Sequence, residues 1–180
     1  MRTEAELVAA AQAGSVDAFT DLVRGYRERL LRFLLTRCAS YADAEDALQD
    51  TLVNAFRYIG TYDPRWRFST WLYRIAIRNA ARQRQVEGIA ADELRDESSD
   101  PLRACIAHDE SENLWATARS VLNDDVFAAM WLRYAEDLSV GDIAKALDRS
   151  TSWTKVNLMR GRRSLEGAMN ASAGNEEAYG

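Results

Sequence analysis

The chain has 180 residues, 47% apolar and 28% charged, and a formal net charge of −5. That length allows one medium domain or two small ones, each with a modest core. No apolar run approaches the roughly 18 residues that span a bilayer, and "MRTEAELVAA" lacks the basic flank and apolar segment of a secretory leader, so the cytoplasm is the expected compartment.

Taken from the N-terminus, the pattern is helical, with no convincing strand alternation. Phe19, Leu22, Val23, Tyr26 and Leu30 recur at the spacing of one amphipathic helix. "DAEDALQDTLVNAFRYI" repeats that spacing with Ala44, Ala47, Leu48, Ala55, Phe56 and Ile59. Its opposite face carries Asp46, Gln49, Asp50 and Val53. Two readings fit that face, a solvated acidic surface or a docking surface for a basic protein. "TYDPRWRF" breaks the periodicity at Pro64, and Ser69 is a candidate N-cap for a helix reaching about Gln85.

The stretch "RWRFSTWLYRIAIRNAARQRQ", Arg65 to Gln85, holds six arginines, four aromatic residues and no acid. On a helix Arg74, Arg78 and Arg82 form one cationic stripe, and like charges at that spacing cost about 0.2–0.5 kcal/mol each in an isolated helix. A phosphate backbone would relieve that repulsion. Leu72, Ile75 and Ala76 supply the inward face, which Trp71 and Tyr73 cannot both share, while Trp66 and Phe68 lie in the preceding loop. Aromatic side chains among arginines suit the stacking of unpaired bases, although at least two of the four rings are expected in the core.

Residues 86–112 are acidic and weakly periodic and read as a tether. Beyond it Phe127, Met130, Trp131 and Tyr134 mark another helix. In "LSVGDIAKALDRSTSWTKVNLMRGRRSL" Ser139 can cap a short helix with Asp142 three residues on, and Ile143, Ala144 and Leu147 face inward. "DRS" is a three-residue turn, and a second helix starts near Thr151 or Ser152. Arg149–Arg163 holds five basic residues and no acid, including Lys155, Arg160, Arg162 and Arg163, with Asn157 among them. A plain helical hairpin with a basic outer face fits this stretch, as does a helix-turn-helix that reads DNA.

Charge is therefore segregated: −3 before Arg65, +6 over Arg65–Gln85, −8 over Val86–Val126 and zero thereafter. Two cationic islands on either side of an acidic stretch suggest two contacts with one polyanion. Catalysis is not expected. The single histidine, His108, lies in the acidic tether, and no glycine-rich phosphate loop or nucleophile motif is present. Cys38 and Cys105 follow no metal-ligand spacing and read as reduced thiols, so neither metal nor cofactor is expected. A helix-turn-helix regulator acting alone would explain the second island but not the first.

"DAEDALQDTLVNAFRYIGTYDPRWRFSTWLYRIAIRNAARQ" resembles region 2 of sigma-70 family factors of the extracytoplasmic-function (ECF) group, and "VFAAMWLRYAEDLSVGDIAKALDRSTSWTKVNLMRGRRSL" resembles their region 4. The resemblance implies an all-α chain of two helical domains, region 2 over residues 1–85 and region 4 over 113–169, joined by a flexible linker over 86–112 and followed by a disordered tail, 170–180. It implies that Asp46, Gln49, Asp50 and Val53 bind the β′ clamp helices of core RNA polymerase, with the β flap as a further polymerase contact. It implies that Trp66, Phe68, Thr70, Trp71 and Tyr73 melt the −10 promoter element and hold a flipped base, beside Arg74, Arg78, Asn79 and Arg82. Arg149, Ser152, Trp153, Lys155, Val156, Asn157, Arg160, Arg162 and Arg163 would read the −35 element. An anti-sigma factor is the implied regulator. The chain departs from the family pattern with "RIAIRN" where "RIARN" is frequent, so that Arg78 stands where asparagine is common. It departs again with Asp148 in place of a frequent glycine and Thr154 in place of the usual valine.

Overall fold

A computed structural model describes residues 2–90 and 110–176, with side chains described over 2–82 and 114–171. Among them every regular element is helical, and the chain divides into two compact units, Met1–Leu102 and Arg103–Gly180.

The first unit holds α1 (Glu4–Gln12), α2 (Val16–Arg24), α3 (Arg27–Leu35), α4 (Tyr41–Tyr58) and α5 (Phe68–Ala90). Short polar side chains start α1, α2 and α4 by taking otherwise unmet N–H groups. Thr3 and Glu6 form a reciprocal capping box on α1. Ser15 accepts from the Ala18 N–H and Ser40 from that of Asp43.

The single helix expected across Phe19–Leu30 is in fact two, broken at Gly25–Tyr26. Phe19, Leu22, Val23 and Leu30 stay buried. The break turns Tyr26 toward other partners: its ring meets Phe68 at 5.5 Å, and its hydroxyl donates to Glu4 at 2.8 Å. Burial, reinforced by Glu4, pushes this phenol's pKa far up.

In α4, Ala44, Ala47, Leu48 and Ala55 are buried as their spacing indicates, and the helix packs on α3 and α5. Helix α5 starts earlier than Ser69. The Trp71 N–H reaches the Arg67 carbonyl, and Ser69 is a buried residue inside the first turn rather than its cap. Phe68 is wholly buried with its ring 5.5 Å from those of Tyr26 and Tyr62, so tertiary packing sets the helix start.

The second unit holds α6 (Glu110–Val121), α7 (Asp124–Tyr134), α8 (Val140–Leu147) and α9 (Thr151–Glu176). Helix α7 is more than a one-sided stripe. Val126 through Leu132 are all buried, while Tyr134 is exposed, so α7 is the axis on which α6, α8 and α9 pack. At the α7–α9 crossing Gly161 is buried, and a Cβ there would lie 3.0 Å from Val126 Cγ1 and 3.2 Å from Met130. Hydrogen is the only side chain that crossing admits without displacement.

The tether expected over 86–112 is shorter at both ends, because α5 continues to Ala90 and α6 begins at Glu110. Pro101, Cys105 and His108 lie outside the described residues. The tail expected to be disordered from residue 170 is helical to Glu176, in a stretch without a proline to stop it.

Candidate nucleic-acid interfaces

The first interface is built on the loop between α4 and α5. Its start is pinned by Gln12, whose side-chain amide donates to the carbonyls of Ile59 (3.1 Å) and Tyr62 (3.0 Å). The Tyr62 hydroxyl donates to the Trp66 carbonyl at 2.5 Å, and the Trp66 N–H returns to Asp63 at 3.0 Å. Burial, with Glu4 and Asp63 nearby, raises the Tyr62 pKa, so its hydroxyl keeps the proton it donates. Asp63 accepts from the Arg65 N–H at 3.0 Å and from its guanidinium at 2.6 Å. Those bonds hold the Asp63 carboxyl below its ordinary pKa and raise that of Arg65.

On this frame Trp66 is exposed at 37%, and Trp71 is half-buried against Tyr62 (5.4 Å) and Phe68 (5.7 Å). Three of the residues assigned to base contact are elsewhere. Phe68 and Tyr73 are completely buried and Thr70 nearly so. Tyr73 packs edge-on against Phe33 of α3, 5.3 Å between rings. Of the three, Phe68 meets a tryptophan ring, that of Trp71; the turn of α5 that presents Trp71 sends its neighbours inward.

Along α5, Arg78 and Arg82 are exposed and Arg74 is half-buried, which leaves a shorter cationic stripe than the spacing indicates. Asn79 is also displaced from its expected role. Its amide accepts from Asn54 and donates to Thr51, both at 3.3 Å, and Thr51 in turn donates to the Ala47 carbonyl at 2.6 Å. This polar ladder is spent between α4 and α5 and not on the surface.

On the outer face of α4, Asp46, Gln49, Asp50 and Val53 are all exposed, Val53 at 55%. An apolar groove continues from Val53 over Leu52, Phe56 and Phe19. Periodicity along α4 does not reveal it, because its far wall comes from α2. An exposed valine ending an acidic face was the available signal.

The second interface follows its local sequence closely. Ser139 accepts from the Asp142 N–H at 3.1 Å, and its hydroxyl donates to the Asp142 carboxylate, so the pair caps α8 without the full reciprocal box. Asp148 ends the helix in the left-handed region, φ 56°, while the N–H groups of Arg149 and Asp148 bond back to Ala144 and Lys145. Ser150 then caps α9 through the Trp153 N–H.

Ser152, Lys155, Val156, Arg160 and Arg163 are exposed on one face of α9. Met159 lies among them at 46% exposure, an apolar contact that a search for charged and polar residues passes over. Arg162 is exposed beside a different groove, lined by Leu114, Met130 and Tyr134. Asn157 is half-buried and its amide donates to the Trp153 carbonyl, so part of its hydrogen-bonding capacity stays within the helix. Arg149 pairs with Asp125 of α7 at 2.6 Å and lies 5.4 Å from the Trp153 ring centre. Thr154 is fully buried and donates to the Ser150 carbonyl, so it serves the turn.

Among the described residues no three potential metal ligands gather, and no helix is long and apolar enough to cross a membrane.

A family model described as sigma-70 region 2 matches residues 22–88. The ECF RNA polymerase sigma-E factor of Haemophilus influenzae is 29% identical over 178 residues, covering 91% of this chain and 94% of its own. The RNA polymerase sigma-H factor of Pseudomonas aeruginosa is 28% identical, with 91% and 92% covered. In fold, CnrH bound to the cytosolic domain of CnrY matches with a TM-score of 0.70 at 22% identity, over 92% of this chain and 96% of its own. The sigma factor RpoE of Bartonella quintana, bound to the anti-sigma factor NepR, matches with a TM-score of 0.68 at 21% identity, over 86% and 98%. Region 2 is matched across the loop and arginine stripe, and over nearly its whole length the chain is similar to RNA polymerase sigma factors, the ECF sigma-E factor among them.

Proposed function

We propose that the protein binds core RNA polymerase in the cytoplasm and directs transcription to particular promoters, without catalysis of its own. The exposed acidic face of α4 docks on the β′ clamp helices, and Val53 with its apolar groove extends that contact. Trp66 and Trp71, the latter backed by the rings of Tyr62 and Phe68, hold an unpaired base of the −10 element while Arg78 and Arg82 meet phosphate. The exposed face of α9 enters the major groove at the −35 element, with Lys155, Arg160 and Arg163 placed for phosphates and base edges. An anti-sigma protein is the regulator this reading expects.

The observation that carries the reading is the pairing of two differently built basic surfaces, each with tryptophan and arginine at its edge, in a chain matched nearly end to end by polymerase sigma factors. Run-off transcription with core polymerase on a library of promoter fragments tests it. The protein should start transcripts on a subset of fragments that core polymerase alone ignores. A variant with Asp46→Lys and Asp50→Lys should lose polymerase binding while keeping its helical content. Initiation indistinguishable from that of core polymerase alone overturns the reading, and normal polymerase binding by the double variant removes α4 from it.

A further inference from the structure

We propose that Gln12, the last residue of α1, is a positioning residue for the base-holding loop; this assignment rests on the promoter reading above. Its side-chain amide has two hydrogens, and both are used on main-chain carbonyls about fifty residues away, those of Ile59 and Tyr62. These carbonyls bracket the 3₁₀ turn in which α4 ends; that of Ile59 also accepts from the Tyr62 N–H at 3.1 Å, so Gln12 joins a turn already closed by its own backbone. From Tyr62 the frame runs directly to the exposed tryptophan, through the Tyr62 hydroxyl to the Trp66 carbonyl and the Trp66 N–H to Asp63. One neutral side chain on α1 thus fixes where Trp66 stands relative to the rest of the unit.

Gln12 is not needed to hold α1 in place. Val8 and Ala11 are buried beneath that helix, the Thr3–Glu6 box starts it, and Glu4 ties it to Tyr26. Gln12 itself is exposed, and its bonds end on the loop. A ring that must receive an extruded base works only if it is already in place, because each freedom left in the loop must be removed when the base arrives. Methionine fills the length of glutamine but donates nothing, and so isolates the two bonds.

The test compares Gln12→Met with the wild-type protein in three measurements. These are amide hydrogen exchange at Tyr62 and Trp66, binding to core polymerase, and permanganate reactivity of the −10 region on a fragment chosen from the run-off library. Loss of the two bonds should speed exchange at both amides and lower promoter opening, each by about tenfold, with polymerase binding unchanged. Unchanged exchange, or faster exchange with undiminished opening, overturns the assignment. Polymerase binding that falls in step with opening also overturns it, since Gln12 would then merely hold the unit together. A wild-type protein that opens no fragment overturns the promoter reading and this assignment with it. Failure confined to the variant's loop or its opening leaves that reading standing.

Discussion

The two candidate DNA surfaces are held in opposite ways. In the first unit the proposed reading element is a loop and one helical turn, held by side-chain to main-chain hydrogen bonds that involve Gln12, Tyr62 and Asp63. In the second it is the open face of a long helix, held from behind by apolar packing on α7, with Gly161 at the closest approach. The difference suits the two targets proposed for them. A duplex groove has a fixed shape that a straight helix can fill, so packing on the far side suffices. An unpaired base has no frame of its own, and the protein must supply both ring and geometry, which takes directional bonds close to the ring.

The sharpest way to break this contrast is to attack the packing of the second unit alone. Gly161→Leu forces a side chain into Val126 and Met130, where overpacking costs about 1–3 kcal/mol or more. Thermal unfolding should show the second unit destabilised by that amount. Binding to core polymerase through α4 should remain, and initiation that depends on −35 contact should fall. Unchanged melting would show that α9 is not held by its approach to α7.

A second substitution pair probes the first unit. Trp66→Ala removes an exposed ring and should cost promoter opening about 1–3 kcal/mol, the usual worth of one stacked base, with little loss of stability. Trp71→Ala should reduce both, because its ring also packs on Tyr62 and Phe68. Permanganate footprints and melting curves on the two variants separate the roles. Equal loss of stability in both would mean that the rings are core alone.

What the sequence made legible divides along the same line. The second unit's turn was readable because each device is local. Ser139 caps with Asp142, Asp148 takes the left-handed position that glycine usually fills, and α9 begins at Thr151. On α4 the spacing gave Ala44, Ala47, Leu48 and Ala55, while Phe56, read as inward with them, is half-buried at the groove. In the first interface the decisive partners are remote. Nothing in the local pattern separates Tyr73, which is buried against Phe33, from the half-buried Trp71, and nothing pairs Asn79 with Asn54 and Thr51. Gln12 reads as an ordinary polar residue ending a short helix until Tyr62 is placed beside it. The break at Gly25 was hidden for the same reason, since the apolar period runs through it and only the contacts of Tyr26 reveal the turn.

The smallest effect concerns the arginine held beside each tryptophan, by Asp63 in the first unit and by Asp125 in the second. Asp63 and Arg65 are bonded through both guanidinium and backbone, which lowers the carboxyl pKa in the folded chain. A group whose folded pKa is depressed contributes stability that is complete above its unfolded pKa and is lost as pH falls through the folded value. The tie should therefore be intact at neutral pH and weaken only below the ordinary aspartate value of about 3.9. A carbon-detected NMR titration of the Asp63 carboxyl should give a midpoint under that value, and Arg65→Gln should return it toward normal. Arg65 is exposed and Asp63 only half-buried, so neither change should move global stability measurably. Its consequence lies in availability: while Asp63 is ionised, Arg65 reaches a phosphate only by exchanging one anion for another. A midpoint at or above the ordinary value would mean that the arginine is not held and meets DNA unopposed.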